Sequence, residues 1–239
     1  MDLSMGITRR KLLFLGLFAV FAAIAEQINF APIVGSNAAY FTLFQFFGPI
    51  VAAFLGLGLG LVALAASQVV NFVLLGKAIT LVNVLRLSTM LFAAYYFARI
   101  DTKKFDAVGI GVPLACMALF VMTPAGAGAW YYSLYWLIPV AVRVFGWSKN
   151  LIARSLGATF TAHAVGSVIF AYSLPYTAAQ WTALVPITAY ERLMFAAGIA
   201  VSYVAFTTLL DWASRHADFS ELKVERAYSL SRPAAVRMA

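Results

Sequence analysis

Residues 38–75 read AAYFTLFQFFGPIVAAFLGLGLGLVALAASQVVNFVLL, with no charged side chain from end to end. The run far exceeds the ~20 apolar residues that one membrane-crossing helix needs. Its natural break is Gly56-Leu57-Gly58-Leu59-Gly60, because glycine is the weakest ordinary helix former after proline. Breaking it there gives two crossings, Ala39–Leu55 and Gly58–Leu75. Whether this run is one helix or two sets the orientation of everything that follows.

Further apolar stretches cover Leu12–Ile28, Ile79–Ala98, Val108–Met122, Trp130–Phe145, Leu151–Leu174 and Ala189–Ala213. Lys and Arg fall in every second gap between the stretches. The basic gaps hold Arg9-Arg10-Lys11, Arg99 with Lys103-Lys104, Arg143 to Arg154, and the tail from Arg215 to Arg237. The gaps Glu26 to Ala39, Thr123 to Ala129 and Pro175 to Thr188 carry almost none. Positive residues stay on the cytoplasmic side, so the alternation orients the chain. An odd number of crossings must separate the bare gap after the first helix from the basic gap after Ala98. Splitting the long run satisfies this and leaves Lys77 as the outer exception. Merging it does not.

The expectation is therefore an all-α, polytopic transmembrane helix bundle of about eight helices (six to eight), with both termini cytoplasmic. Residues 1–213 form one transmembrane helical domain and residues 214–239 a cytoplasmic C-terminal tail, either a short amphipathic helix or disordered. The composition agrees: 63% of residues are hydrophobic and 11% charged, with a mean hydropathy of +0.89. A soluble domain sits nearer half apolar and a quarter charged. The localisation implied is the cell membrane, multi-pass. The stretch Thr8-Arg9-Arg10-Lys11-Leu12-Leu13, with Ala23-Ile24-Ala25 after it, resembles an export signal; it is read as the first retained helix. Trp130, Tyr131, Tyr132, Tyr135 and Trp136 suit an outer interfacial belt, and Trp147 and Trp212 an inner one.

Polar groups are costly in hydrocarbon and usually face a partner or a water-filled cavity. Here they gather on one side. Glu26 and Asn29 lie at the outer end of the first helix, and Gln45 about two turns below the outer surface. Gln68 and Asn71 sit in the outer half of the third helix, Asn83 and Arg86 in the outer half of the fourth. Three of these pairs have i,i+3 spacing, which puts both members on one helix face. Converging, they would line a cavity open to the outside, suited to a small polar or zwitterionic organic molecule. Interhelical hydrogen bonding is the other role open to the amides, and Arg86 could serve as a structural ion-pair partner of Glu26 or Glu191. Glu191-Arg192 reads as a solvated helix start. His163, mid-membrane among small residues, suits either proton transfer or packing.

The candidate substrate-binding residues are thus Glu26, Asn29, Gln45, Gln68, Asn71, Asn83, Arg86 and His163. No catalytic residue, metal site or cofactor is assigned. One cysteine, Cys116, makes neither a disulfide nor a thiolate metal site, and His216 lies too far in depth from His163 to share a metal or haem with it. The net charge of +8 is spread over loops and tails, as topology and anionic-lipid contact require, and nucleic acid is excluded as a partner.

The segment Phe46-Phe47-Gly48-Pro49-Ile50-Val51-Ala52-Ala53-Phe54-Leu55-Gly56 resembles the substrate-binding (S) components of energy-coupling-factor transporters, a likeness extending over roughly residues 12–122. Those components are very hydrophobic helical proteins, usually of six helices, that capture nutrients from outside and dock on an energising module. The resemblance implies that Ala19 and Ala23, spaced i,i+4, would contact such a partner. The function expected is binding of a small polar organic solute from the outer side for uptake. The partners are the lipid bilayer, that ligand, and an energising or membrane-complex protein. Two alternatives stay open: an intramembrane lipid-modifying enzyme with His163 as base and Arg86 or Arg154 on a phosphate, and an accessory helical subunit of a larger complex.

Overall fold

The computed structural model describes residues 8–32, 40–99, 106–215 and 221–231. Positions 33–39 of the bare outer loop, Lys103, Lys104, His216 and the tail after Ser231 lie outside those residues. Within them the protein is all-α apart from two short strands. Its nine helices are α1 (Arg9–Ala25), α2 (Val51–Leu55), α3 (Leu57–Leu74), α4 (Leu81–Ala98), α5 (Val112–Val121), α6 (Pro124–Gly128), α7 (Leu137–Val144), α8 (Leu151–Ser173) and α9 (Ala178–Ala213). By length and composition α3, α4 and α9 can each cross a membrane, and the apolar helix Ala107–Val121 is shorter.

Besides Trp130–Phe145, which is a 3₁₀ segment over Trp130–Trp136 followed by the eight residues of α7, two stretches depart from expectation. The first is Ala39–Leu55, which is not one helix. An antiparallel strand pair, β1 (Asn29–Pro32) and β2 (Tyr40–Thr42), leads into 3₁₀ turns at Leu43–Phe46 and Gly48–Ile50 and then the single turn of α2. Pro49, with no N–H to give, prevents a continuous helix. Residues 47–55 are buried throughout, packed against α3, α4 and α9. Gly56 then makes the break anticipated there, at φ +83° and ψ 160°. Gly60 lies so close to this segment that a Cβ on it would stand 2.3 Å from the Ala52 Cα.

The second departure is α9, which begins eleven residues before the anticipated Ala189, inside the gap 175–188. Thr177 and Gln180 form a reciprocal capping box, the Gln180 amide N–H donating to Thr177 Oγ1 and the Thr177 N–H to Gln180 Oε1. That motif outweighs Pro186, which the helix accommodates.

Two apolar cores divide the interior. One gathers Phe54, Tyr96, Phe97 and Tyr203; the other gathers Phe120, Tyr132, Trp136 and Trp181. Gly157 lets α8 press against α4, since a Cβ there would meet the Tyr96 ring at 2.3 Å. At the end of the molecule holding the α8 N-terminus, Arg143 and Arg154, which bound the expected basic gap, lie in α7 and α8 and are buried rather than solvated. Arg143 pairs with Asp106 at 3.2 Å, each side chain 1% exposed, stacks over Tyr96 and donates to the Tyr96 carbonyl and Ser148 Oγ. Arg154 donates to the Phe97 carbonyl at 2.6 Å and to Glu225 Oε1 at 2.8 Å, lying over Phe97. The tail segment 221–231 is therefore an integral part of the fold. Besides Glu225 it attaches through the Lys223 N–H to the Phe54 carbonyl, and through Ser229 and Ser231 to Asp211.

Candidate functional site

Where the two cores meet, they leave a cavity of about 640 Å³, lined by Phe44 and Met90 from the first and Tyr132 and Trp181 from the second. Sites for small organic ligands typically fall in this size range. All eight side chains singled out by depth and spacing line it: Glu26, Asn29, Gln45, Gln68, Asn71, Asn83, Arg86 and His163.

Each reaches the cavity from a different support. Glu26 caps the C-terminus of α1 and Asn29 opens β1. Gln45 sits in the 3₁₀ turn after β2, and that turn packs on α9. Gln68 and Asn71 are buried members of α3. On α4, Thr80 caps the helix by accepting from the Asn83 N–H, and the Asn83 side-chain amide donates back to the Ala78 carbonyl. Asn83 thereby shapes the α3–α4 turn as well as lining the wall. Arg86 lies over the Phe170 ring at 5.6 Å. Among the described residues no carboxylate stands within 4.0 Å of it, so a structural ion pair with Glu26 or Glu191 does not form.

His163 occupies a hydrogen-bond chain whose direction can be worked out. The Trp136 indole can only donate, and its Nε1–H meets His163 Nδ1 at 3.1 Å. Nδ1 is therefore the acceptor, which makes the ring the Nε2–H tautomer. Nε2 lies 3.0 Å from Tyr132 Oη and 3.4 Å from Ser167 Oγ. Having accepted from His163, Tyr132 donates its own hydrogen to Thr188 Oγ1 at 2.8 Å. The ring's one basic lone pair is occupied by the indole. A general base in this position would need it free.

Other wall residues were not singled out from sequence. Arg192 is buried, pairs with Glu191 at 3.3 Å and lies over the Phe41 and Phe195 rings at 4.8 and 4.6 Å. A pair that reads as a solvated helix start sits in mid-helix, because α9 begins earlier than its apolar run suggests. Lys77, the exception to the charge rule, also lines the cavity, as do Tyr132, Trp181 and Thr188. Tyr176, in the turn before α9, joins them, and burial raises its phenol above the ordinary range. The Thr-x-x-Gln capping pattern was the available signal for Arg192; nothing in the local sequence marks Trp181.

Comparison with protein-family models, with curated proteins and with solved structures finds no match to this chain. The assignment of the site rests on its own chemistry.

Proposed function

We propose that this protein is a multi-pass cell-membrane protein, both termini cytoplasmic, that captures a small polar organic solute from the outer side for uptake. One observation carries the reading: eight polar residues dispersed between Glu26 and His163, chosen for their depth in the membrane, line a single cavity of ligand size. Amides serving only as interhelical glue would pair with one another across helix contacts. Here a cavity separates them.

The membrane reading is supported by the apolar side chains left on the outside, such as Leu12, Leu17 and Phe21 on α1, Val73 and Leu74 on α3, and Val201 and Leu209 on α9. Exposed apolar surface of this extent needs lipid or protein to cover it. Leu43–Leu55 fits as an irregular crossing, because non-helical backbone is tolerated at membrane depth only where protein sheathes it. An eight-crossing chain would then consist of α3, α4 and α9 as long apolar helices, α1, α5 and α8, and Ala39–Leu55 and Trp130–Phe145 as irregular members. Ala19 is exposed and Ala23 partly so, as a docking face for an energising partner would require. The hydrogen bond that His163 Nδ1 accepts from Trp136 gives the enzymatic reading less support than the uptake reading.

The test is ligand-induced stabilisation of the purified protein. A solute at 100 times its Kd adds ~2.7 kcal/mol to stability. Solutes extracted from the purified protein, and candidate compounds added back, should raise its melting temperature, and Gln68→Ala and Arg86→Ala should abolish the rise. If both variants keep every shift seen with the unmodified protein, the cavity is not the binding site.

A further inference from the structure

The fully buried, unpartnered polar atoms of the wall residues are all of one kind. Three residues on its wall carry buried side-chain atoms with no partner among the described residues: Gln68 Nε2, Trp181 Nε1 and Arg192 Nε. All three are N–H donors. The chain through His163 adds a fourth. Its direction, set by the indole, runs Trp136 to His163 to Tyr132 to Thr188, and so leaves the Thr188 hydroxyl hydrogen to be donated onward. No buried acceptor on the wall is left unpartnered. An unmade buried hydrogen bond costs ~1–3 kcal/mol, so an occupant that brings acceptors to these wall residues is favoured, although the same wall also carries the acceptor oxygens of Glu26, Asn29, Gln45 and Asn71.

The formal charges agree. Lys77, Arg86 and Arg192 face Glu26 and Glu191, one more cation than carboxylates. Glu191 and Arg192 close on each other at 3.3 Å, which confines the surplus to the other wall. There Lys77 and Arg86 flank Glu26 at electrostatic range, neither within 4.0 Å of a carboxylate among the described residues. Arg86 in turn lies against Phe170, and Tyr132 and Tyr176 each meet the Trp181 ring, tilted and edge-on, at centroid distances of 5.0 and 5.1 Å.

From the unpartnered donors and the single surplus cation, we infer that the cavity takes a monoanion: an oxyanion held by Arg86 and Lys77, joined to a planar or apolar body that packs on the Tyr132–Trp181–Tyr176 cluster. The inference rests on the proposed solute-binding function and narrows it to one charge class. The same chemistry could be presented by a free organic acid or by a phosphodiester lipid headgroup, and the assay must separate them.

The full chain, purified in neutral detergent, is titrated with ring-matched probes while the melting temperature is followed. The probes are indole-3-acetate, indole-3-acetamide and tryptamine, and benzoate, benzamide and benzylamine. Phosphatidylglycerol in mixed micelles is the lipid arm. The organic extract of the protein is analysed by mass spectrometry in parallel. The carboxylates, or an anionic species in the extract, should stabilise the protein where amides and amines do not. Arg86→Gln, which keeps a polar side chain at the site, should weaken the anion about tenfold to a hundredfold, as loss of a charge-assisted hydrogen bond does. Stabilisation by an amide or amine at least as large as by its carboxylate overturns the charge assignment and leaves solute binding intact. Stabilisation by phosphatidylglycerol alone overturns the free solute and retains the oxyanion site. No stabilisation by any probe, with an extract free of solute, overturns both.

Discussion

Glu225→Gln is the sharpest test of how the tail is held. The substitution preserves shape and an acceptor oxygen for Tyr203 and Arg154, so only charge is lost. Arg154 cannot then turn to water: its side chain is 1% exposed, its Nε is committed to the Phe97 carbonyl, and its Nη2 already lacks a partner. Removing one member of a buried ion pair costs about 3–5 kcal/mol. Glu225 is itself 32% exposed, and solvent screening there brings the expected loss to about 2–3 kcal/mol. For a chain of this size each kcal/mol moves the melting temperature by ~2–4 °C, so the drop should be about 4–12 °C. Hydrogen exchange should quicken across residues 221–231, because the backbone bond from Lys223 to the Phe54 carbonyl loses its support. In an Arg154→Met background the same change should cost little, since no stranded charge remains and Met can occupy the slot beside Phe97. A drop of less than about 2 °C with unchanged exchange, or an equal drop in the Arg154→Met background, would refute the reasoning.

Three other consequences can be checked on the same preparation. Gly157→Ala drives a methyl group to 2.3 Å from the fully buried Tyr96 ring and should destabilise by about 1–3 kcal/mol, whereas Gly166→Ala, with Thr89 Cγ2 3.6 Å away, should be tolerated, as paired melting curves would show. Gly56→Ala forces a side chain into a backbone conformation open essentially to glycine and should cost ~1–3 kcal/mol, read as a lower melting temperature despite the 3.7 Å of room before Lys223. Trp136→Phe removes the sole donor to His163 Nδ1; ¹⁵N NMR of labelled histidine should show an unprotonated Nδ1 before the change and a mixture of tautomers after it. A protonated Nδ1 in the unmodified protein would invert the hydrogen-bond direction argued for Tyr132 and Thr188.

Much of the site could be read without coordinates, for a simple reason. Read as a membrane chain, the sequence assigns each polar residue a depth from its distance to the nearest basic or bare gap, and depth limits which groups can meet. Gln68, Asn71, Asn83 and Arg86 share a depth and i,i+3 faces, and they share a wall. Arg192 escaped because its depth was counted from the wrong helix start, and Lys77 because one charge in a bare gap looks like noise. Tyr132, Trp181 and Thr188 belong to the aromatic and small-polar background of any apolar segment. Their role depends on which helix they meet.

Composition, the spacing of apolar runs and the glycine break at Gly56 determined by themselves that this chain is helical and where most of its helices lie. Those properties depend on local propensity and on how apolar side chains partition from water. Tertiary structure decided that residues 47–55 of the irregular Leu43–Leu55 segment are buried and that Arg143 and Arg154 are buried, whereas Pro49 and the Thr177–Gln180 capping box were local signals for the broken segment and the early start of α9. Each of these buried groups is a backbone or charge that would be costly alone and is stable because distant residues satisfy it: α3, α4 and α9 around the broken segment, Asp106 and Glu225 beside the arginines. The same holds for the direction of the His163 chain. No local pattern encodes it, because it is set by an indole N–H that has only one way to bond.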